Sequence, residues 1–388
     1  ALLAAACTMS GCHGDLDIMQ DNKLSASNMW IDESDAETAT YGIYLYMRDA
    51  LKSVHDIYLC WGEFRNGLWG AGTNKTLSGV DQTQVRTSTM SSSNAYADWS
   101  VMYKTVNQAN LILKHVPEMG ISESVRNFSL GNAYFSRAWC YFWIARIWGD
   151  APLALTGYES TGGDLYLPRA PKAEIFARIE SDLTEAERYV TDNSDKAVAT
   201  PAAVQMLKAD YALWMYRVAG GGSSYLTMAE KAIEALNLSA SRLESDYAQV
   251  FSSANKLNKE VIFAVHQANG EAVNGPGYYL GWNSNYVEAA YQNNPVPITG
   301  GNQWWWYTDR YKALLTSVEG DTRTKLTYNR ADYGTTIKSI EWTEKGVGQM
   351  ISGARIFDSD FILYRYAEAF LMLSLIHISE PTRPISIS

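Results

Sequence analysis

The chain has 388 residues, of which 47% are hydrophobic and 19% charged, a balance typical of a globular protein with a large core. Its formal net charge of -10 argues against nucleic acid as a partner, because phosphate recognition needs clustered basic side chains. The 13 tryptophans and 25 tyrosines outnumber the 10 phenylalanines, so rings with a polar edge predominate, as they do where one side of a ring is dry and the other wet.

The first residues resemble the end of a secretory leader followed by a lipidation site. Residues 1–11 are small and apolar, like a signal-peptide remnant, and "MSGC" at residues 9–12 resembles a lipobox, whose cysteine becomes the acylated N-terminus. Cys7, in "AAAC", is a competing site, but the polar stretch after Cys12 favours Cys12. Acyl chains on Cys12 would anchor the protein to a membrane surface. No later segment of the sequence has the roughly 20 apolar residues of a membrane span.

Helix signals dominate residues 30–266. Residues 99–113 repeat apolar side chains on one helical face, and residues 132–148 are apolar almost all round, which predicts an internal helix. Thr200 and Pro201 form an N-cap and first-turn pair that opens another helix. Small residues at packing positions predict helical hairpins that resemble TPR repeats. The predicted fold class is therefore mostly α, with a helical scaffold over about residues 30–266.

The pattern changes over residues 267–353. Glycine, asparagine, proline and aromatic residues become frequent there, and the helical segments become short. This composition predicts a loop-rich, aromatic-rich region lying against the scaffold, which is where binding residues usually occur. Residues 361–373, "FILYRYAEAFLML", read as helix again.

The C-terminal residues have an unusual sequence. "LSLIHISEPTR", residues 373–383, resembles the translation of an adapter used to prepare sequencing libraries. Residues 373–388 are therefore predicted to be an artefactual tail, and the domain is predicted to cover residues 12–372 and to be truncated.

Several blocks in order resemble the SusD/RagB family of outer-membrane lipoproteins that capture nutrients. The most distinctive is "GNAYFSRAWCYFWIARIWGDAPLAL", residues 131–155, an aromatic helix closed by a Trp-Gly-Asp-x-Pro-Leu turn. The other matching blocks are residues 99–113, 168–187, 247–266, 310–328 and 364–373. Together they cover nearly the whole chain, and their order makes the resemblance specific.

The resemblance implies a function and a location. Family members have a helical, TPR-containing body that covers a SusC-like, TonB-dependent barrel transporter in the outer membrane. They bind oligosaccharides at the cell surface, or peptides in some members, and deliver them to that barrel. The resemblance therefore implies a surface-exposed lipoprotein of the outer membrane with a glycan as its ligand, with peptide capture as the alternative. It implies no cofactor, and its motif blocks do not identify the ligand-binding residues.

Candidate ligand-binding residues come from the loops. A sugar stacks its C–H face on a flat ring, while amide and charged groups bind its hydroxyls. Four consecutive aromatic residues cannot all enter one core, so at least one is expected to be exposed. The candidates are Trp304, Trp305, Trp306 and Tyr307 with Asn302, then Trp61, Asn66 and Trp69, and finally Trp282 and Tyr286.

The same rings have a structural alternative, in which they fill the seam between the loops and the helices. Trp139, Trp143 and Trp148 lie on the internal helix and are predicted to pack in the core.

Catalysis has little support in the sequence. The 42 acidic residues make carboxylate pairs frequent by chance, and a glycoside hydrolase needs two acids at a defined separation. The five histidines have no metal-binding spacing, and no nucleophile or nucleotide motif occurs. We therefore expect a protein that is not an enzyme and has no catalytic or metal site, with a glycoside hydrolase as the less favoured alternative.

Overall fold

The computed structural model describes residues 29–379, apart from residues 55–56, 73–78, 161–164, 272–273 and 302. Twelve α-helices occur in these residues: α1 (Glu33–Lys52), α2 (Ile57–Gly62), α3 (Val80–Thr87), α4 (Ser100–His115), α5 (Glu123–Trp148), α6 (Lys172–Tyr189), α7 (Pro201–Arg217), α8 (Ser224–Glu234), α9 (Tyr247–Val250), α10 (Asp309–Leu315), α11 (Thr322–Thr327) and α12 (Tyr366–Ser379). Cys12 and residues 1–11 lie outside the described residues.

Helix α5 is the centre of the helical scaffold. It packs against α1, α4 and α6, while α7 packs against α8 and α12. Most side chains from Ser129 to Ala145 are buried, as the apolar sequence of this helix predicts. Gly131 lets α5 approach the end of α6 closely, because a Cβ there would lie 2.7 Å from a methyl carbon of Val190. The predicted mostly-α scaffold of packed helix pairs is confirmed.

The predicted helix ends are also present. Gly149 closes α5 with a φ of 74°, a backbone conformation that favours glycine. The Thr200 side chain accepts a hydrogen bond from the Ala203 amide, so it caps α7 and places Pro201 in the first turn.

A buried ion pair joins α5 to α6. The Arg137 Nε and Nη2 donate to the two carboxylate oxygens of Asp182 over 2.8 and 2.7 Å. Arg137 Nη1 also donates to Asn110 Oδ1 of α4 over 2.7 Å. The side chains of Arg137 and Asp182 are only 5% and 0% exposed. Three helices therefore meet at one fully paired charge cluster.

The strands form two-stranded antiparallel sheets. The pairs are β1 (Trp69–Ala71) with β5 (Trp305–Tyr307), β2 (Ala151–Pro152) with β3 (Arg169–Ala170), β4 (Val261–Val265) with β10 (Phe361–Arg365), β6 (Asn329–Ala331) with β7 (Ile340–Trp342), and β8 (Gln349–Ile351) with β9 (Ala354–Ile356). They belong mainly to the segment after residue 266, where helices α10 and α11 are short.

One helix prediction is wrong at its start. Residues 361–365 form strand β10, and α12 begins only at Tyr366. Strand β10 pairs with β4, whose five residues are all buried, so hydrogen bonding to this distant segment outweighs the local helical pattern. Helix α12 then continues to Ser379, with Ile376 buried in the main core.

Candidate functional site

Pairing of β1 with β5 joins two of the predicted binding segments. Trp69 lies opposite Tyr307 in this antiparallel pair. Gly72 allows the approach, because a Cβ at that position would lie 1.5 Å from the carbonyl oxygen of Gln303. The tryptophan run is therefore held against the loop that follows α2.

Two rings of the run are buried, so neither of them is the exposed ring that the sequence led us to expect. Trp305 is 0% exposed and stacks on Phe64 with the ring centroids 3.9 Å apart. Trp306 is 1% exposed, and its Nε1 donates to Glu341 Oε2 over 2.7 Å. Neighbouring residues of a strand point to opposite faces. Here the two rings enter two separate apolar clusters, so neither has a face available to a ligand.

The other residues of this segment differ in their environments. Trp304 is half-buried and packs against the cluster that contains Trp305. Tyr307 is 7% exposed, but its ring lies 4.6 Å from that of Trp69, and both rings line a cavity. Asn302 lies outside the described residues.

This cavity, here called the inner cavity, has a volume of about 540 Å³ and lies where the helical scaffold meets the loop-rich region. Side chains of α2, α5, α7 and α12 line it together with side chains of the loops. Its rings are Tyr58, Trp69, Trp139, Trp143, Phe251, Tyr307, Tyr311, Phe361 and Tyr364. Its ionisable side chains other than tyrosine are Glu63, Arg146, Asp210, Lys256, Lys345, Asp360 and Glu368. Aromatic walls with a few polar groups are typical of small-molecule sites.

A second hollow, here called the outer groove, adjoins the inner cavity and has a volume of about 370 Å³. Gly62, Trp143 and Arg146 line both hollows, so the two lie side by side, and together they are here called the cleft. In the groove, Trp61 and Trp148 meet edge to face with their centroids 5.3 Å apart. The groove is also lined by Arg65, Met90, Tyr96 and Trp214.

The rings of the groove are held in place by polar contacts. Trp61 Nε1 donates to the Tyr96 carbonyl over 2.9 Å, and Trp148 Nε1 donates to the Ala97 carbonyl over 3.0 Å. Each indole is anchored through its Nε1 and is only partly buried. Rigid, partly exposed rings lose little conformational entropy when they bind a ligand.

Acidic groups concentrate where α7 and α12 meet the inner cavity. The Tyr364 hydroxyl donates to Asp210 Oδ2 over 3.0 Å, and Arg146 Nη1 lies 3.6 Å from Asp210 Oδ1. Burial raises the pKa of Asp210, although Arg146 opposes this. Burial, with a contribution from the Asp210 charge, raises the pKa of Glu368 to about 7. This end of the cavity therefore offers two carboxylate acceptors, and the charge of one of them, Glu368, depends on pH near neutrality.

Three of the ten predicted ligand residues line the cleft, namely Trp61, Trp69 and Tyr307. Asn66 is adjacent, since its Nδ2 donates to Glu63 Oε2 over 3.0 Å.

Two further predicted residues do not line the cleft. Trp282 is 0% exposed, so the prediction of an accessible ring is wrong there as well. Its Nε1 donates to the Glu341 carbonyl over 2.7 Å, and the half-buried Tyr286 packs beside it in a separate apolar cluster.

Sequence reasoning missed the rings at the end of α5. Trp139 is buried in the core as predicted, although it also reaches the cavity wall. Trp143 and Trp148 were predicted as core residues, yet each is only partly buried and lines the cleft. The apolar sequence of α5 carries no sign of this exposure. The one available signal was the position of Trp148 beside the turn at Gly149, where the helix leaves the core.

Two features are absent from the described part of the chain. No helix there combines the length and the apolar character needed to cross a membrane. Among the same residues, no group of three or more His, Cys, Asp or Glu side chains is arranged to hold a metal ion.

Comparison with known proteins points to one family. Residues 71–214 match the SusD-like family model described as "Starch-binding associating with outer membrane". The SusD-like protein P38 of Formosa agariphila is 26% identical over 190 residues, which are 49% of this chain and 36% of that protein. The chain thus matches about a third of the length of this curated relative.

Solved structures share the fold of this chain over most of their length. NanU of Bacteroides fragilis superposes with a TM-score of 0.77 at 26% identity, covering 92% of this chain and 76% of that one. A surface glycan-binding protein of Bacteroides thetaiotaomicron, solved with laminarihexaose, has a TM-score of 0.72. The match covers 91% of this chain and 80% of the glycan-binding protein. At 16% identity it supports the fold alone. In its scaffold, its matching segment and these relatives, the chain is similar to proteins of the SusD/RagB family.

Proposed function

We propose that this protein binds an oligosaccharide in the cleft formed by the inner cavity and the outer groove, without catalysing a reaction. The observation that carries the proposal is Trp143, whose half-buried indole lines both hollows and so places them side by side. Trp61 and Trp148 extend the aromatic surface on one side, and Tyr311 extends it on the other. A row of rings separated by acidic and basic side chains suits a chain of sugar rings and their hydroxyls.

The proposal extends to location and partner. The family model is named for association with the outer membrane. Acylation at Cys12 would hold the protein at the cell surface, where it would deliver its glycan to a SusC-like, TonB-dependent barrel. The net charge of -10 supports a ligand other than nucleic acid.

Removal of a cleft ring tests the site. Trp143→Ala and Tyr311→Ala are each expected to weaken binding of the preferred oligosaccharide at least tenfold, because a central aromatic contact is worth about 2 kcal/mol or more. Titration calorimetry against a panel of oligosaccharides measures this loss. Tyr166→Ala is the matched control, since Tyr166 is 93% exposed and does not line the cleft.

The outcomes separate the alternatives. If Trp143→Ala and Tyr311→Ala both bind the oligosaccharide as tightly as Tyr166→Ala does, the cleft is not the binding site. Binding of peptide digests but of no glycan would replace the proposed ligand with a peptide. Release of shortened products from the panel would overturn the non-catalytic assignment. Thermal melting of each variant shows whether a loss of binding reflects a loss of folding.

A further inference from the structure

Lys345 is a basic residue of the inner cavity that forms no ion pair with any described residue. It lies in the segment between β7 and β8 and lines the cavity wall. Its Nζ lies 4.5 Å from the centroid of the Phe251 ring. Within the described residues, this amino group makes no hydrogen bond to a side chain or carbonyl and no ion pair. A cation held against a ring and left without a counter-ion is costly to keep in a partly buried site.

The other basic groups near this wall are paired. Arg146 lies 3.6 Å from Asp210, and Lys256 Nζ lies 3.3 Å from Asp358. Arg365, which lies beside the same phenylalanine ring, has its Nη1 2.7 Å from Glu260 Oε1. Lys345 thus differs from its neighbours in having a charge available to a ligand.

The backbone around Lys345 holds it in place. The next residue, Gly346, has a φ of 69°, a conformation that favours glycine. The Gly346 carbonyl accepts a hydrogen bond from the Gly277 amide over 3.0 Å. The space is tight, because a Cβ on Gly277 would lie 2.6 Å from that same oxygen. The loop that carries Lys345 is therefore fastened to a second loop, which holds the Lys345 backbone at the cavity wall.

We infer that Lys345 binds an anionic substituent of the glycan, a carboxylate or a sulfate ester, at the loop side of the inner cavity. The inference rests on the proposed function and specifies its ligand class. A sugar with its anionic group on Lys345 has the ring walls of the cavity beside it, and the acceptors Asp210 and Glu368 remain for its hydroxyls. A charge-assisted hydrogen bond of this kind is about twice as strong as a neutral one.

The charge of Lys345 sets a pH range for this interaction. Burial lowers its pKa to about 8, Arg365 lowers it too, and Glu63 opposes them. The other charged groups of the cavity are Arg146, Asp210 and Glu368, with Lys256 and Asp360. The amine is therefore cationic below about pH 8 in the empty site, and a bound anion would extend that range upward. Preference for an anionic glycan should weaken as the pH rises from 7 to 10.

The experiment compares matched ligand pairs. Tetragalacturonate and its methyl ester differ in charge at the carboxyl group, and a sulfated galactan oligosaccharide and its desulfated form differ in the sulfate. Calorimetry is run with the unaltered protein, with Lys345→Met and with Lys325→Met. The last variant is the matched control, because Lys325 is exposed and lies outside the cavity. Lys345→Met should fold at least as well as the unaltered protein, because it removes a partly buried charge without a partner.

The expected result is that one anionic ligand binds about tenfold tighter than its neutral counterpart, and that Lys345→Met alone abolishes the difference. Tighter binding of tetragalacturonate than of its methyl ester would identify a carboxylate. Tighter binding of the sulfated galactan than of its desulfated form would identify a sulfate ester. Equal binding of neutral and anionic members, or a preference that persists in Lys345→Met, would overturn the inference and leave the proposed function standing. Absence of binding to any glycan in the wider panel would overturn both.

Discussion

Replacing Asp182 with alanine is expected to lower the free energy of unfolding by about 3–5 kcal/mol, because it leaves the buried Arg137 guanidinium without its counter-ion. Asp182 is fully buried, and Arg137 contacts both of its carboxylate oxygens. Arg178, the second basic residue near this carboxylate, lies 3.6 Å away and is partly exposed, so it cannot take the place of the acid. Urea unfolding followed by circular dichroism measures the loss.

Two controls separate the charge from the packing. Arg178→Ala removes the partly exposed neighbour and should change stability by less than about 1 kcal/mol. The double change Arg137→Met with Asp182→Leu replaces the pair by apolar groups, and it should recover much of the loss, since such replacements are often neutral. A loss below about 1 kcal/mol in Asp182→Ala would show that water or a neighbouring group already compensates Arg137.

The ion pair lies on a helix that also lines the cleft. Arg137 lies on α5, the helix that carries Trp143 further along. Its third contact, Asn110, donates to the Ala154 carbonyl in the chain that follows α5. The same cluster therefore fixes α5 relative to α4, α6 and the turn after Gly149. A defect here would weaken glycan binding without any contact to the glycan.

Local signals in the sequence predicted the helical scaffold well. The all-round apolar pattern of α5 and the cap at Thr200 depend on neighbouring residues in the chain, so a pattern analysis finds them. Strand β10 could not be found in this way. Its five residues suit a helix as well as a strand, and only pairing with β4, which lies far away in the sequence, decides between them.

The candidate site was predicted only in part for a related reason. Trp69 and Tyr307 meet because β1 pairs with β5, and the same pairing buries Trp305. Exposure of each ring thus depends on a long-range contact, whereas the sequence shows only that four rings are adjacent. Trp143 was instead predicted to be buried, because its helix is apolar on all sides. In the structure, the last turns of that helix line the cleft.

Replacing Trp305 with alanine is expected to destabilise the protein by about 3–5 kcal/mol, as for other large buried aromatic residues. The ring stacks on Phe64 and packs in a cluster with Val85 and Tyr96, so its removal opens a cavity beside the segment from α2 to β1. Thermal and urea unfolding measure the loss. This change alone does not tell a core residue from a ligand contact, because an unfolded variant binds nothing.

Trp305→Phe makes that distinction. Trp305 Nε1 is buried and has no hydrogen-bond partner within the described residues, so phenylalanine removes an unsatisfied donor while keeping the stacked ring. We expect a stability change of at most about 1.5 kcal/mol, with glycan affinity unchanged within twofold. A tenfold loss of affinity in a stably folded Trp305→Phe variant would place this ring in contact with ligand after all. It would mean that the loops around β5 open when the glycan binds.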